Sequence, residues 1–205
     1  MIYLNDDIAH FDWQAALPLL SEQRRQQTLK FKYEQGRQTC AAAYLLLCEG
    51  LRKEYHITEP PTFEFNEHGK PAIVGHPEIH FNMSHCREVA LCMLSDKPVG
   101  VDVESIRNYK ESLARYTMND EEMAIILKAE RPEVAFIRLW TQKEAVLKLK
   151  GTGITDNLKT VLDGSATVLD GSATVLDGLP VENTAVKLTT VVNEEKGYIY
   201  SIATY

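Results

Sequence analysis

One order of elements occurs twice along this chain and limits the possible folds more than any other feature. Residues 35–55 are rich in alanine and leucine without proline, which predicts a long helix, and short apolar runs follow it. A second long helix is predicted over residues 132–150, opened by a proline, and two strand-like runs follow within residues 186–203. This order predicts an α+β fold of two similar halves that join near residues 97–104.

Turn and capping signals predict the shorter elements. Ser21 is expected to cap a short helix, and either Asn119 or Asp120 to cap a helix over 121–129. Residues 63–65 alternate like a strand and lead into a turn. Three further apolar runs, separated by turn residues, predict an antiparallel meander. These runs are 79–83, 89–94 and 99–103.

Composition narrows the functional class. The chain has 205 residues and a formal net charge of −7, which disfavours nucleic-acid binding through overall positive charge. No run of 18 or more apolar residues is present, and the first residues do not resemble a secretory signal, so we expect a cytoplasmic protein. The four cysteines form no CxxC pair, so neither a zinc ribbon nor a redox dithiol is indicated.

Two carboxylates stand in the run Gly100-Val101-Asp102-Val103-Glu104. On an extended backbone, Asp102 and Glu104 project from the same face and repel each other unless a positive charge lies between them. A magnesium ion, which binds one or two carboxylates together with waters and substrate phosphates, would supply that charge. The alternative is an edge strand with a solvated acidic face.

A second group of polar residues lies within 140–148, a predicted helical stretch. Glu144 and Lys148 are four residues apart and therefore share one helix face. A surface ion pair is the simpler interpretation, but a small cationic loop, Lys150-Gly151-Thr152-Gly153, follows directly. Its glycines follow a helix rather than a strand, so they do not form a dinucleotide-binding fingerprint.

Three weaker signals lie in the first half of the chain. Ser84 and His85 end a predicted strand, where they could donate to a phosphate or cap their own turn. Lys70 is presented by the rigid turn 69–71. Five cations also lie close together, which fits either a phosphate-binding patch or a solvated helix: Arg24, Arg25, Lys30, Lys32 and Arg37.

Four of these motifs occur in an order that resembles the 4′-phosphopantetheinyl transferase family of the Sfp type, which activates surfactin synthetase. The GxDxE strand is residues 100–104, and the W/F-x-x-K-E-x-x-x-K helix is residues 140–148. The upstream GKP turn is 69–71, and the FNxSH strand is 81–85. The resemblance covers most of the chain, and the K-E-A form of the helix motif is similar to the broad-range bacterial branch.

The resemblance implies a magnesium site and a set of catalytic residues. Asp102, Glu104 and Glu144 would ligate Mg²⁺, and the pyrophosphate of coenzyme A would complete the shell. Lys148 would pair with the phosphates, so that Glu144, Lys148 and Asp102 form the catalytic set. The family fold is a pseudo-twofold pair of α+β halves with the site between them, here 1–98 with the coenzyme A contacts and 99–205 with the metal site.

The resemblance also implies a set of coenzyme A contacts. The serine and histidine of the FNxSH strand would contact phosphate oxygens, the lysine turn would lie against the adenosine end, and two arginines fall near positions that hold the 3′-phosphate. The six residues are Lys70, Pro71, Ser84, His85, Arg24 and Arg37. We expect a monomer whose partner is an apo acyl or peptidyl carrier protein, with no nucleic-acid or membrane partner.

The implied reaction is attack of a carrier-protein serine on the β-phosphorus of coenzyme A, with release of 3′,5′-ADP. Glu144, a water on the metal, or an acid at Asp120 or Glu121 could accept the serine proton, and the sequence does not choose among them. Two other functions are considered: a non-catalytic protein that binds coenzyme A or a carrier, and a magnesium-dependent phosphohydrolase. The first predicts a damaged acid trio, and the second leaves the K-E-A helix and FNxSH strand unexplained.

A short repeat is the remaining feature. Residues 160–166 (TVLDGSA) recur as 167–173, and 174–178 begin a third copy. Each Asp-Gly is a turn signal, which predicts short TVL strands joined by DGSA turns. A period of seven is far below that of stacking repeat folds. We therefore predict an edge excursion, remote from the metal, in which one copy performs the structural role.

Overall fold

The computed structural model describes residues 1–153, 158–163, 174–176 and 186–205, and it confirms the α+β fold class. The helices are α1 (Trp13–Ala16), α2 (Glu22–Lys30), α3 (Glu34–Tyr55), α4 (Glu111–Thr117), α5 (Asp120–Lys128) and α6 (Pro132–Lys150). The strands are β1 (Ile2–Asn5), β2 (Phe63–Phe65), β3 (Pro71–Ile73), β4 (His80–His85), β5 (Ala90–Ser95), β6 (Val99–Ser105), β7 (Thr174–Leu176), β8 (Val186–Asn193) and β9 (Tyr198–Thr204).

The first half is built on α3, which packs on an antiparallel sheet of order β1-β5-β4. The helix begins with Glu34 and ends with basic residues in its last turn, an arrangement that suits the helix dipole at both ends. Tyr44, Leu47 and Leu51 are fully buried on the face toward the sheet. Burial of this apolar stripe stabilises the helix, which the sequence predicted over residues 35–55.

The second half is built on α6, which packs on an antiparallel sheet of order β6-β9-β8-β7. Pro132 lies in its first turn, and Gly151 ends it in the left-handed conformation with φ of 70°. A buried hydroxyl network joins the helix to the sheet, since Thr141 and Thr190 each lie 2.9 Å from the Ser201 hydroxyl. These hydrogen bonds satisfy polar groups that burial would otherwise penalise.

The predicted three-strand meander is wrong in its last step. β4 and β5 pair as expected, but β6 pairs with β9, with Val99 opposite Thr204. The reason is that β1 occupies the other edge of β5, so β5 has no free edge for β6. The described strand pairs fall either within residues 1–98 or within 99–205.

Two helix predictions are resolved in detail. Ser21 caps α2 by accepting the backbone N–H of Arg24. Asn119, rather than Asp120, caps α5, and it forms a capping box with Glu122. In the described part of the chain, no helix combines the length and apolarity that crossing a bilayer requires.

The repeat region only partly follows its prediction. In the first copy, Val161 and Leu162 lie in a turn rather than a strand, and both are buried in the second core. The third copy does form an edge strand, β7, paired with β8. The copy at 167–173 and the turns that follow the first and third copies lie outside the described residues, apart from Asp163.

Candidate active site

The site begins where α6 crosses β6 at Gly100. A Cβ at this position would lie 2.0 Å from the carbonyl oxygen of Ala145 and 2.3 Å from the nitrogen of Leu149. No side chain fits there, because these are backbone atoms of the helix rather than flexible side-chain ends. The glycine of the GxDxE motif therefore allows the close approach that brings Asp102 to the helix that carries Glu144.

Asp102, Ser84 and Lys148 form a connected polar cluster at this crossing. The Lys148 ammonium donates to Asp102 Oδ1 at 2.6 Å and to the Ser84 hydroxyl at 3.1 Å. Ser84 donates to the same Asp102 oxygen at 2.9 Å and accepts the backbone N–H of Val103 at 3.2 Å. Because Ser84 lies on β4, this cluster joins the FNxSH strand, the GxDxE strand and the motif helix.

Two acids at this crossing, Asp102 and Glu144, each have a carboxylate oxygen that accepts no hydrogen bond from the described residues. These two atoms, Asp102 Oδ2 and Glu144 Oε1, are both buried. Burial, followed by the charge of Asp102, raises the pKa of Glu104 and of Glu144. Buried carboxylate oxygens without partners are the donor chemistry that a hard divalent cation requires.

The three acids are not assembled as a metal-binding set in the described residues. No group of three or more acid, histidine or cysteine side chains is close enough there to hold a metal ion. Lys148 contacts Asp102 instead, while Arg107 lies 3.4 Å from Glu104 and the Trp140 side chain hydrogen-bonds to Glu104. Two cations and an indole thus contact the acid pair of β6.

A cavity of about 290 Å³ lies beside the cluster. The GKP turn, β4, α6 and the loop after α6 all contribute to its wall, so four segments singled out in the sequence meet here. Lining residues include Lys70, Pro71, Asn82, Glu144, Lys148 and Gly151. The cavity places two lysines and the carboxylate of Glu144 within one recess, an arrangement suited to a phosphorylated ligand with a cation.

Lys70 contributes to the wall in an unexpected way. Its ammonium donates to the carbonyl oxygen of Leu149 at 2.9 Å and to that of Val99 at 3.4 Å. Burial of the side chain lowers the pKa of Lys70. The charge of this lysine is therefore directed to backbone carbonyls at the end of α6 and the start of β6.

Two further predicted contacts, His85 and Arg24, lie close enough to interact. The His85 side chain is exposed, yet desolvation by surrounding atoms, and then the charges of Lys148 and Arg24, lower its pKa. The Arg24 guanidinium lies over the rings of Tyr44 and Phe63, and its buried Nε has no partner among the described residues. This half-buried arginine is a suitable group for an anionic ligand.

Arg37 is placed differently from the other predicted contacts. Its Nε donates to the carbonyl oxygen of Phe31 at 3.0 Å, and its guanidinium lies over the Trp13 ring. Like Arg24, Ser84 and His85, it does not line the cavity beside Lys148. The role of Arg37 at the 3′-phosphate stays a prediction.

Lys143, the lysine of the K-E-A motif, is a structural residue that sequence reasoning missed. It is fully buried, and its ammonium contacts Glu122 Oε2 at 2.7 Å and the carbonyl oxygens of Thr117 and Leu158. Asp120 and Glu121, the acids proposed for this region, are exposed in the first turn of α5. The one sequence signal that distinguishes Glu122 from these acids is its capping-box spacing, three residues after Asn119.

Fold and site together define a class: an α+β protein with a partly buried acid and lysine cluster beside a cavity. Residues 98–196 match the sequence model of the 4′-phosphopantetheinyl transferase superfamily. The chain is 30% identical over 160 residues to the 4′-phosphopantetheinyl transferase psf-1 of Bacillus pumilus, an alignment covering 77% of this chain and 69% of the relative.

Two other relatives agree with this match. Identity to the 4′-phosphopantetheinyl transferase Sfp of Bacillus subtilis (strain 168) is 23% over 157 residues, covering 75% of this chain and 70% of the relative. Identity to the 4′-phosphopantetheinyl transferase gsp of Aneurinibacillus migulanus is 36% over 117 residues, covering 53% and 48%. The chain belongs to the 4′-phosphopantetheinyl transferase family, and its function is transfer of phosphopantetheine from coenzyme A to a carrier protein.

Proposed function

We propose that this transfer depends on magnesium and that Asp102, Glu104 and Glu144 hold the ion beside the pyrophosphate of coenzyme A. The observation that supports this most is the pair of buried carboxylate oxygens, on Asp102 and Glu144, that have no partner among the described residues. When bound, magnesium would neutralise charge that develops on the pyrophosphate during transfer. The raised pKa of Glu104 and Glu144 is in keeping with acids that need a nearby cation.

The other predicted residues would bind and orient coenzyme A. Lys148, which is partly exposed at the cavity, would donate to phosphate oxygens, and Ser84 and His85 would contact the same group. The turn of Lys70 and Pro71 would lie against the adenosine end. For the 3′-phosphate we propose Arg24 and Arg37. The Nε of Arg24 has no hydrogen-bond partner among the residues that the structure describes.

The reaction would proceed by attack of the serine hydroxyl oxygen on the β-phosphorus. A bond forms between these atoms as the bond to 3′,5′-ADP breaks, and the serine proton passes to a carboxylate. Glu144 or a water on the metal is the candidate acceptor. Asp120 and Glu121 remain the alternatives, although both are exposed on α5.

We further propose a setting for the reaction. The partner would be an apo acyl or peptidyl carrier protein of fatty-acid, polyketide or non-ribosomal peptide synthesis. The enzyme would act as a cytoplasmic monomer, without nucleic acid or membrane. Residues 1–98 would supply coenzyme A contacts and 99–205 the magnesium site, a division that the strand pairing supports.

The experiment incubates the protein with coenzyme A, an apo carrier protein and either magnesium or a chelator. We expect the carrier to gain one phosphopantetheine mass and 3′,5′-ADP to appear, in the magnesium sample alone. Full transfer in chelator would overturn the metal requirement. Free phosphopantetheine with an unmodified carrier would instead indicate a phosphohydrolase, and coenzyme A binding without either product would indicate a non-catalytic binder.

A further inference from the structure

The last turn of α6 is held by a turn from the other half of the chain. A helix leaves its last four carbonyl groups without intrahelical partners, and these must find donors elsewhere. At the end of α6, Lys70 donates to the carbonyl oxygen of Leu149 at 2.9 Å, and the Asn66 side-chain amide donates to that of Gly151 at 3.1 Å. A cation at this end of a helix also complements its dipole.

The turn that makes these contacts is itself well braced. Asn66 Oδ1 accepts the backbone N–H groups of His68 at 3.0 Å and Lys70 at 2.8 Å, and the Asn66 N–H donates to the Lys70 carbonyl at 3.0 Å. One asparagine side chain therefore both shapes the turn and reaches the helix end. This leaves Lys70 little freedom to move independently of α6.

Packing at the helix end points to the same contact. Gly151 has a φ of 70°, and a Cβ there would lie 2.9 Å from Lys70 Cδ and 3.4 Å from Asn66 Nδ2. The lysine stem fills the space that a side chain would need. Hydrogen bonding and close packing thus both place Lys70 against the end of α6.

Lys70 also contacts the strand that carries the acids. Its ammonium lies 3.4 Å from the carbonyl oxygen of Val99, at the start of β6. Leu149 directly follows Lys148 in α6, and Val99 precedes Asp102 by three residues in β6. One ammonium therefore joins the two elements whose side chains form the Lys148–Asp102 pair, 2.6 Å apart.

We propose that Lys70 is a positioning residue for transfer: it fixes the last turn of α6 against β6 and so sets the place of Lys148. This inference rests on the proposed role of Lys148 at the phosphates. Its consequence is that the charge of Lys70 acts on turnover through Lys148, rather than on coenzyme A affinity. Loss of a residue that orients a primary group commonly costs about 10-fold to 100-fold.

The test measures kcat and KM for coenzyme A in Lys70→Met, Lys148→Ala and the double variant. Lys70→Met keeps most of the stem and removes the ammonium, and Lys128→Met, in the exposed last turn of α5, is the matched control. We expect Lys70→Met to lower kcat by about tenfold while KM changes less than about threefold. In the Lys148→Ala background the same change should have almost no further effect on kcat.

Other results would overturn the inference. A raised KM with normal kcat, persisting in the Lys148→Ala background, would mean that Lys70 binds coenzyme A directly. A lower melting temperature with unchanged kinetics would make Lys70 a structural brace only. If Lys70→Met does not fold, Asn66→Ala removes the companion bond to Gly151 and should show the same kcat loss; normal kinetics there would reject the idea.

The single Lys148→Ala variant separates this inference from the proposed function. Normal turnover in that variant would refute the role of Lys148 itself, and the inference would fall with it. Suppose instead that Lys148→Ala strongly lowers kcat and that Lys70→Met lowers kcat by the same factor in both backgrounds. This result would refute the positioning role of Lys70 alone.

Discussion

Two lysines of α6 each pair with a carboxylate from another element. The nitrogen–oxygen distances of the two pairs are nearly equal, but their surroundings differ. Lys143 lies 2.7 Å from Glu122, with side chains 0% and 5% exposed, whereas Lys148 lies 2.6 Å from Asp102, with 29% and 6%. The ammonium of Lys143 has three acceptors within the protein and no access to solvent. Lys148 instead opens onto the cavity.

The difference in burial indicates that Lys143 and Glu144, neighbours in one motif, have different roles. Lys143 joins the end of α4, the start of α5 and the segment near Leu158, and so holds structure together. Glu144, the next residue, lines the cavity together with Lys148. A motif can thus combine a structural lysine with an acid at the cavity, for which we propose a catalytic role, and burial distinguishes the two where residue type does not.

The largest effect is expected on the buried pair. Lys143→Met leaves Glu122 buried without its cation, and breaking a buried pair in this way costs about 3–5 kcal/mol in the free energy of unfolding. Denaturant titration measures the loss, and the double variant Lys143→Met/Glu122→Gln should recover much of it. Unchanged stability combined with lost turnover would mean that Lys143 belongs to the catalytic set.

Substitutions of the acids near Lys148 should instead lower turnover and leave the protein folded. Asp102→Ala or Glu144→Ala should lower turnover by at least ~100-fold, the scale of losing one preorganised electrostatic group. Both variants should stay folded: Glu144→Ala relieves carboxylate repulsion, and Asp102→Ala leaves Lys148 with a side chain that is 29% exposed and can be solvated. Glu195→Ala, in an exposed turn, is the control. Near-normal turnover of either site variant at saturating magnesium would contradict the assignment.

Magnesium should also change the stability of the protein in a pH-dependent way, and this effect should be smaller than the two described above. Burial raises the pKa of Glu104 and Glu144 above 4.5, so these groups favour the folded state when protonated. That contribution is lost as pH rises through the folded pKa, and the metal-free protein should be less stable at about pH 7 than at about pH 5 from this source.

Magnesium needs the deprotonated carboxylates, so it should stabilise the protein more at about pH 7 than at about pH 5. At tenfold excess over its dissociation constant, one bound ion adds about 1.4 kcal/mol, which thermal melts can detect. An equal stabilisation at both pH values would show that the ion binds elsewhere. Glu144→Gln should abolish the effect at the higher pH.

The smallest effect is expected for the repeat. Lys143 anchors the segment at Leu158, upstream of residues 167–173, so deletion of that copy should leave both lysine pairs intact. We expect transferase activity within about threefold and a change in stability of ~0.6 kcal/mol or less, since loop closure depends weakly on length. Loss of soluble expression would show that this copy is part of the core.

Sequence patterns could predict what depends on local chemistry. The long helices follow from apolar periodicity and end residues such as Pro132, and the acid pair follows from alternation along one strand. The pairing of β6 with β9 could not be predicted, because its partner lies about 100 residues away in the chain and β1 was not recognised. The burial of Lys143 depends on packing among three separate segments, which no local pattern records.

Direct binding of magnesium is the measurement closest to the central claim. Calorimetric titration of magnesium into the protein with coenzyme A should give one site in the wild type and in Glu195→Ala. In Asp102→Asn and Glu144→Gln, which keep side-chain size and remove charge, the site should be lost or weakened at least ~10-fold. Equal magnesium affinity in the wild type and both site variants would contradict the account.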